Sequence, residues 1–215
     1  MSAINPLPAR LLLVTDRYQA RVPLEEIVDA AVAAGVRWVW LRDRDLPAAE
    51  RRVQAHRLGA VVHAGGARLS VGGDVELAAE IAADGVHLSA GASIAAARAR
   101  LGPRALIGVS AHGDADVVAA AGAGADYATL SPIFATASKP GYGPALGVAA
   151  LARAARHGLP LLALGGVTAE RADECLRAGA AGIAVMGEVM RAAERPGDVR
   201  GVVQRYAAAL AAAVG

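Results

Sequence analysis

Four places in this chain gather residues able to hold an anion or to move a proton. The apolar run Leu161-Leu162-Ala163-Leu164 ends in Gly165-Gly166, and the next such run, Gly182-Ile183-Ala184-Val185, ends in Met186-Gly187. Glycine after a buried strand lets backbone N–H groups approach a phosphate with no Cβ in the way. A lone Gly-Gly reads equally as a tight turn; its recurrence one strand later favours an anion site. Arg42 and Arg44 stand in the charged run Arg42-Asp43-Arg44-Asp45. That run is either a solvated turn or a pair of guanidinium groups aimed at an anion. Ser110 and His112 place a hydroxyl and an imidazole at the end of a further apolar run. The stretch from Ser131 to Pro144 carries Thr136, Ser138 and Lys139, the only lysine in the chain.

The elements that must position these groups alternate regularly. Short uninterrupted apolar runs read as strands covered on both faces, as in a parallel sheet. They are expected at Leu11 to Val14, Val36 to Leu41, Arg68 to Val71, Gly85 to Leu88, Leu106 to Val109, Asp126 to Leu130, Leu161 to Leu164 and Gly182 to Val185. Helices are expected between them: Pro23 to Ala34, with Ile27, Val28, Ala31 and Val32 on one face, then Pro47 to Ala64, Asp74 to Ala83, Ser93 to Leu101, Asp114 to Ala121 and Gly147 to Arg156. Thr168 is the expected N-cap of a helix from Ala169 to Ala178 that stops at Gly179. A short helix at Gly187 to Arg191 and a closing helix from Gly197 to Val214 complete the chain. This order predicts an α/β protein, a single (β/α)8 TIM barrel spanning residues 1–215 as one domain. The polar groups named above then fall at strand ends, where such barrels carry their chemistry. The long loop from Ser131 to Pro144, with glycines at 141 and 143, is expected to close over a ligand.

Composition narrows the function classes. The chain is 55 % hydrophobic but only 3 % aromatic, so Ala, Leu, Val and Ile are expected to fill the core. A net charge of +2 with interleaved signs leaves no basic stripe for nucleic acid. No apolar run has the length of a membrane span and no signal peptide is evident, so a cytoplasmic protein is expected. Cys175 is the single cysteine and reads as helix packing. The histidines at 56, 63, 87, 112 and 157 show no metal-ligand spacing, and His87, inside a strand, reads as a structural histidine.

Ile107-Gly108-Val109-Ser110-Ala111-His112, then Gly124-Ala125-Asp126-Tyr127 and Ser131-Pro132-Ile133-Phe134-Ala135-Thr136, resemble the thiamine phosphate synthase superfamily. So do Gly165-Gly166-Val167, Ala181-Gly182-Ile183-Ala184-Val185, Val14-Thr15-Asp16, Leu41-Arg42 and Asp84-Gly85-Val86-His87-Leu88. The resemblance implies a small-molecule phosphate substrate. It also implies that Thr136, Ser138 and Lys139, with Arg42, Arg44, Gly165, Gly166, Met186 and Gly187, hold that substrate.

The departures bear on activity. A synthase of this superfamily holds Mg2+–pyrophosphate with an Asn-Asp pair after strand three and an Asp after strand four; here those positions are Gly72-Gly73 and Ala92. A pyrimidine-contacting Gln of strand two is Trp40, and a Lys is Arg44. Glycine and alanine offer Mg2+ no oxygen, and Asp74, even if it shifted to help, is one carboxylate and a poor substitute. The pattern is nearer to the thiazole tautomerase (TenI) branch, which by resemblance uses no metal or cofactor. That branch moves a proton to aromatise a carboxythiazole phosphate, with His112 as the matching catalytic residue and Ser110 orienting the ring or the carboxylate. An imidazole, with an ordinary pKa of ~6.5, accepts and returns a proton near neutrality. The alternatives are a synthase with an altered metal site, or a non-catalytic phosphate binder. A homo-oligomer is compatible with any of them.

Overall fold

The computed structural model describes residues 5–42, 45–136, 144–192 and 196–213. Eight parallel strands follow one another around a closed barrel, each pairing with the next and the last with the first. They are β1 (Leu11–Val14), β2 (Trp38–Leu41), β3 (Arg68–Gly72), β4 (Gly85–Leu88), β5 (Leu106–Ala111), β6 (Tyr127–Leu130), β7 (Leu161–Leu164) and β8 (Gly182–Val185). The helices between them are α1 (Leu24–Ala33), α2 (Ala48–Ala64), α3 (Val75–Glu80), α4 (Ile94–Leu101), α5 (Asp114–Gly122), α6 (Gly147–Ala155) and α7 (Ala172–Arg177). Two more follow β8: the short α8 (Gly187–Ala192) and the closing α9 (Pro196–Ala212). The chain is therefore the (β/α)8 barrel expected of its pattern.

Two local expectations are corrected. Thr168 makes no side-chain cap; a 3-10 turn over Ala169–Arg171 precedes α7, so the helix starts later and is shorter than its spacing suggests. Strand β5 continues through Ser110 and Ala111, because Ser110 pairs in register with Thr129 and Ala111 with Leu130. Ser110 is thus fixed on a strand and not carried on a loop. Side-chain caps are found instead at α3 and α4: Asp74 accepts from the Leu77 N–H at 2.9 Å and Ser93 from the Ala96 N–H at 3.2 Å.

Alternation along each strand divides the core in two. Leu11, Leu13, Val39, Leu41, Leu69, Val71, Ile107 and Val109 face outward and pack with helix residues such as Ile27, Leu58 and Val203. This outer layer is the aliphatic core that the composition implies. The interior is different: Trp38, Trp40 and Tyr127 fill it with Leu12, Val14, Leu106, Leu162 and Ala184. Space for these large rings comes from small residues on neighbouring strands; a Cβ on Gly108 would fall within the ring of Tyr127. Three of the seven aromatic residues, Trp38, Trp40 and Tyr127, fill the barrel from within, a placement that composition alone cannot express.

Candidate functional site

A cleft of ≈ 1170 Å3 opens where the strands end, lined among others by Asp16, Trp40, Arg42, Ser110, His112, Thr136, Gly165, Gly166, Met186 and Gly187. Every sequence-selected site residue that the structure describes therefore lines one cavity. Arg44, Ser138 and Lys139, with the hinge glycines 141 and 143, lie outside the described residues.

His112 sits just beyond β5, exposed at the cleft mouth. Its backbone N–H donates to Asp116 Oδ2 at 2.7 Å, and its Nδ1 lies 3.0 Å from the carbonyl oxygen of Ser131. A carbonyl only accepts, so the neutral ring carries its proton on Nδ1 and Nε2 is the basic atom. Ser110, one strand step inward, is 3.1 Å from Nε2 of His87, which is itself buried inside the barrel.

The glycine pair after β7 is left-handed, with φ of 91° at Gly165 and 63° at Gly166. Here the structure adds to the sequence argument. The Cβ direction of each glycine faces the loop after β6: a Cβ on Gly165 would lie 2.8 Å from Pro132 Cα, and one on Gly166 2.8 Å from Phe134 Cβ. That loop runs along β7, with the Ile133 N–H donating to Leu164 O and the Phe134 N–H to Gly165 O, both at 2.9 Å. The glycines therefore let the Thr136 segment settle against the β7 end while both still line the cleft.

Arg42 donates its backbone N–H to Thr15 Oγ1 at 3.1 Å, and its guanidinium lies 3.6 Å from Asp16. A second cation, Arg191, was not selected from sequence. It projects from α8 back over Gly187, where a Cβ would meet its guanidinium, and it is held by the side-chain oxygen of Gln19. Its spacing of one helical turn from Gly187 is the sequence signal that could have found it. Tyr206 of α9 reaches the same side of the cleft and donates to Glu188 at 2.5 Å, and burial raises its pKa well above the ordinary phenol value. Across the mouth, Arg17 makes a bidentate pair with Asp45 at 2.6 and 2.8 Å, and Tyr18 donates to the same carboxylate.

With this geometry in place, the comparisons with known proteins are direct. The family described as thiamine monophosphate synthase matches residues 11–189. The chain belongs to that family. A thiamine-phosphate synthase of Methanoculleus marisnigri is 37 % identical over 204 residues, covering 94 % of this chain and 97 % of that one. A thiamine-phosphate synthase of Thiobacillus denitrificans is 42 % identical over 168 residues, covering 77 % and 79 %. Among solved structures, a thiamine phosphate pyrophosphorylase from Pyrococcus furiosus superposes with a TM-score of 0.83 at 27 % identity, covering 96 % of this chain and 97 % of that one. The first two carry the synthase name, the alternative of the sequence reading, and none of the three is named a tautomerase.

The magnesium ion that the synthase resemblance implies does not fit the residues present. Gly72, Gly73 and Ala92 have no donor side chains, and Asp74 does not line the cleft. It caps α3 and pairs with Arg51 at 2.9 Å, facing a separate hollow beside α2. The carboxylates that do line the cleft are committed elsewhere: Asp16 to Gln19, Asp45 to Arg17 and Tyr18, and Glu188 to Tyr206 and Arg205. Among the described residues no three acidic, histidine or cysteine side chains converge as a metal site. Asp74, for which the sequence left open a shift toward the site, is held away from the cleft as the cap of α3 and the partner of Arg51. No described helix is long and apolar enough to cross a membrane.

Proposed function

We propose that this chain acts on a thiazole phosphate in thiamine biosynthesis, and that it does so by proton transfer, as a thiazole tautomerase. The observation that carries the reading is the donor set at the ends of β3 and β4. Where pyrophosphate and Mg2+ would need carboxylates, the chain has Gly72, Gly73 and Ala92, with the indole of Trp40 beside Gly72. The half of the cleft that would hold a phosphate keeps Gly165, Gly166, Gly187 and Arg191. His112 offers a basic Nε2 at the same cleft. In the reaction, one proton leaves a carbon of the ylidene tautomer and one is returned to another carbon, giving the aromatic ring with no net change in atoms or electrons. An imidazole at the mouth performs both halves.

The second reading is thiamine-phosphate synthase, favoured by the names of relatives 37 % and 42 % identical to this chain. One pair of assays separates the two. The purified protein is given the ylidene carboxythiazole phosphate and aromatisation is followed with and without EDTA; separately it is given the pyrimidine pyrophosphate, the thiazole phosphate and Mg2+. EDTA-insensitive aromatisation without condensation is expected. Mg2+-dependent condensation without aromatisation overturns the proposal in favour of the synthase.

A further inference from the structure

A line of hydrogen-bonding side chains crosses the barrel interior and reaches the cleft at Ser110. It begins at Trp38, whose indole N–H donates to Ser70 Oγ at 3.0 Å. Tyr127 packs edge-on against Trp38, with ring centroids 4.7 Å apart. The phenol oxygen lies 2.9 Å from His87 Nδ1, and His87 Nε2 lies 3.1 Å from Ser110 Oγ and 3.3 Å from Thr129 Oγ1. Trp38, Ser70, Tyr127, His87 and Thr129 are all buried to within 1 % of full burial. The His87 ring is further fixed by Trp40, stacked on it with centroids 3.8 Å apart. Strand register supplies the placement: Gly108 pairs with both His87 and Tyr127, and Ser110 pairs with Thr129.

The direction of the line follows from the phenol. A buried hydroxyl places its hydrogen on an acceptor, and His87 Nδ1, 2.9 Å away, is the one that Tyr127 meets. Burial raises the Tyr127 pKa far above the ordinary value, so the phenol keeps its hydrogen. Tyr127 therefore donates to His87 Nδ1. The proton of the neutral imidazole is then on Nε2, facing Ser110 and Thr129. We infer that Tyr127 and His87 are positioning residues that make Ser110 an acceptor toward the barrel interior and therefore a hydrogen-bond donor toward the cleft. The site's ligand accordingly presents an acceptor to Ser110; on the proposed function, on which this clause rests, that group is the thiazole carboxylate. The neutral tautomers of the two histidines are opposite: Nδ1–H at His112, which leaves a base, and Nε2–H at His87, which fixes a donor.

The test has one arm independent of function and one that depends on it. In protein carrying 15N-labelled histidine, His87 is expected to show a pyrrole-type Nε2 and a pyridine-type Nδ1 with or without ligand. Tyr127→Phe, which keeps the ring against Trp38, is expected to weaken that preference and average the two signals. A wild-type His87 protonated on Nδ1 overturns the inference, and needs no variant to observe. In the second arm, binding of the aromatic carboxythiazole phosphate is compared with that of its decarboxylated analogue. Ser110→Ala is expected to weaken the carboxylate ligand about 10- to 100-fold, the range for a hydrogen bond to a charged group, and to leave the analogue unchanged. An equal loss for both ligands overturns the donor role at that position. If neither ligand binds wild-type protein while the nitrogen shifts are as expected, the functional reading has failed and the relay stands.

Discussion

The indole of Trp40 and the backbone of Gly72 exclude one another's alternatives: a Cβ on Gly72 would lie 2.9 Å from Trp40 Nε1 and 2.9 Å from the carbonyl oxygen of Leu41. Trp40 Nε1 is buried there without a hydrogen-bond partner among the described residues. The loss of a ligand-bearing side chain at position 72 and the presence of a tryptophan at position 40 are therefore one linked departure from the synthase pattern. Gly72→Asn alone is expected to destabilise the fold by about 1–3 kcal/mol, as overpacking does. Adding Trp40→Gln should recover part of this, because the indole clash goes and the Leu41 contact stays. Denaturant unfolding of the single and double variants measures the coupling; strict additivity would show that the two positions do not share space.

Asp74 gives a second separation between structure and chemistry. It caps α3 and pairs with Arg51, whose other amino group donates to Gly72 O at 2.5 Å. Asp74→Ala is expected to lower stability by about 0.5–2 kcal/mol, the usual loss for an N-cap, with turnover unchanged. Millimolar Mg2+ should not raise the melting temperature of either protein, since an ion that binds only the folded state stabilises it in proportion to occupancy. A magnesium-dependent rise that disappears in Asp74→Ala would return this residue to a metal site.

Much of this was legible in the sequence, for physical reasons. Strands β1, β4 and β7 match their apolar runs residue for residue because each run ends abruptly in a polar residue or glycine, and β8 matches the run that Met186-Gly187 closes. Strand β5 overran its apolar segment, since Ser110 gains its place from pairing with Thr129 across the sheet and not from hydropathy. That Arg42, Gly165, Gly166 and Gly187 line the cleft was readable, because glycine or arginine directly after an apolar run carries its signal locally. The line from Trp38 to Ser110 was not. Its members come from five strands, and His87, read as structural, is distinguished only by what the closed barrel brings within 3.1 Å of it. Arg191 was missed because a single arginine on a short helix looks like any solvated charge until the fold turns it over Gly187.

Gly166 tests the loop that borders the site. A side chain there meets both a left-handed φ of 63° and the Phe134 Cβ at 2.8 Å. Gly166→Ala is expected to lift the Ile133–Ala135 segment, at a cost of about 1–3 kcal/mol from strain and lost packing. Hydrogen exchange reads this locally: the amides of Ile133 and Phe134, bonded to Leu164 and Gly165, should lose protection while β1 amides do not. Unchanged protection would mean that the loop does not depend on the glycine.

The pair across the cleft mouth sets a pH expectation. The hydrogen bonds from Arg17, and then from Tyr18, hold the Asp45 carboxyl well below the ordinary carboxylate range. For a carboxylate lowered in the folded state, the contribution is complete above the unfolded value of ~3.9 and is lost only as pH falls through the lower folded value. The Arg17–Asp45–Tyr18 contact should therefore persist unchanged from pH 5 to 8. A 13C carboxylate titration of Asp45 that shows protonation within that interval would contradict the geometry. Any break in turnover near neutrality then belongs to a different group.

His112 is the group on which turnover is expected to depend. Its backbone is tied to Asp116 at 2.7 Å and its Nδ1 to the Ser131 carbonyl at 3.0 Å, so the ring is held at the cleft with Nε2 as the basic atom. The candidate phosphate site is built from other residues, Gly165, Gly166, Gly187 and Arg191, so anchoring and proton transfer are separable. His112→Gln keeps a polar side chain and removes the titrating one. It is expected to lower kcat for aromatisation by about 10²- to 10⁴-fold, the usual contribution of a positioned acid–base group, with the affinity for product phosphate nearly unchanged. A weakened affinity with kcat intact would make His112 a binding residue. Full activity in the variant would move the proton transfer to another group on the cleft wall, with Ser110, or a water that it holds, the next to be tested.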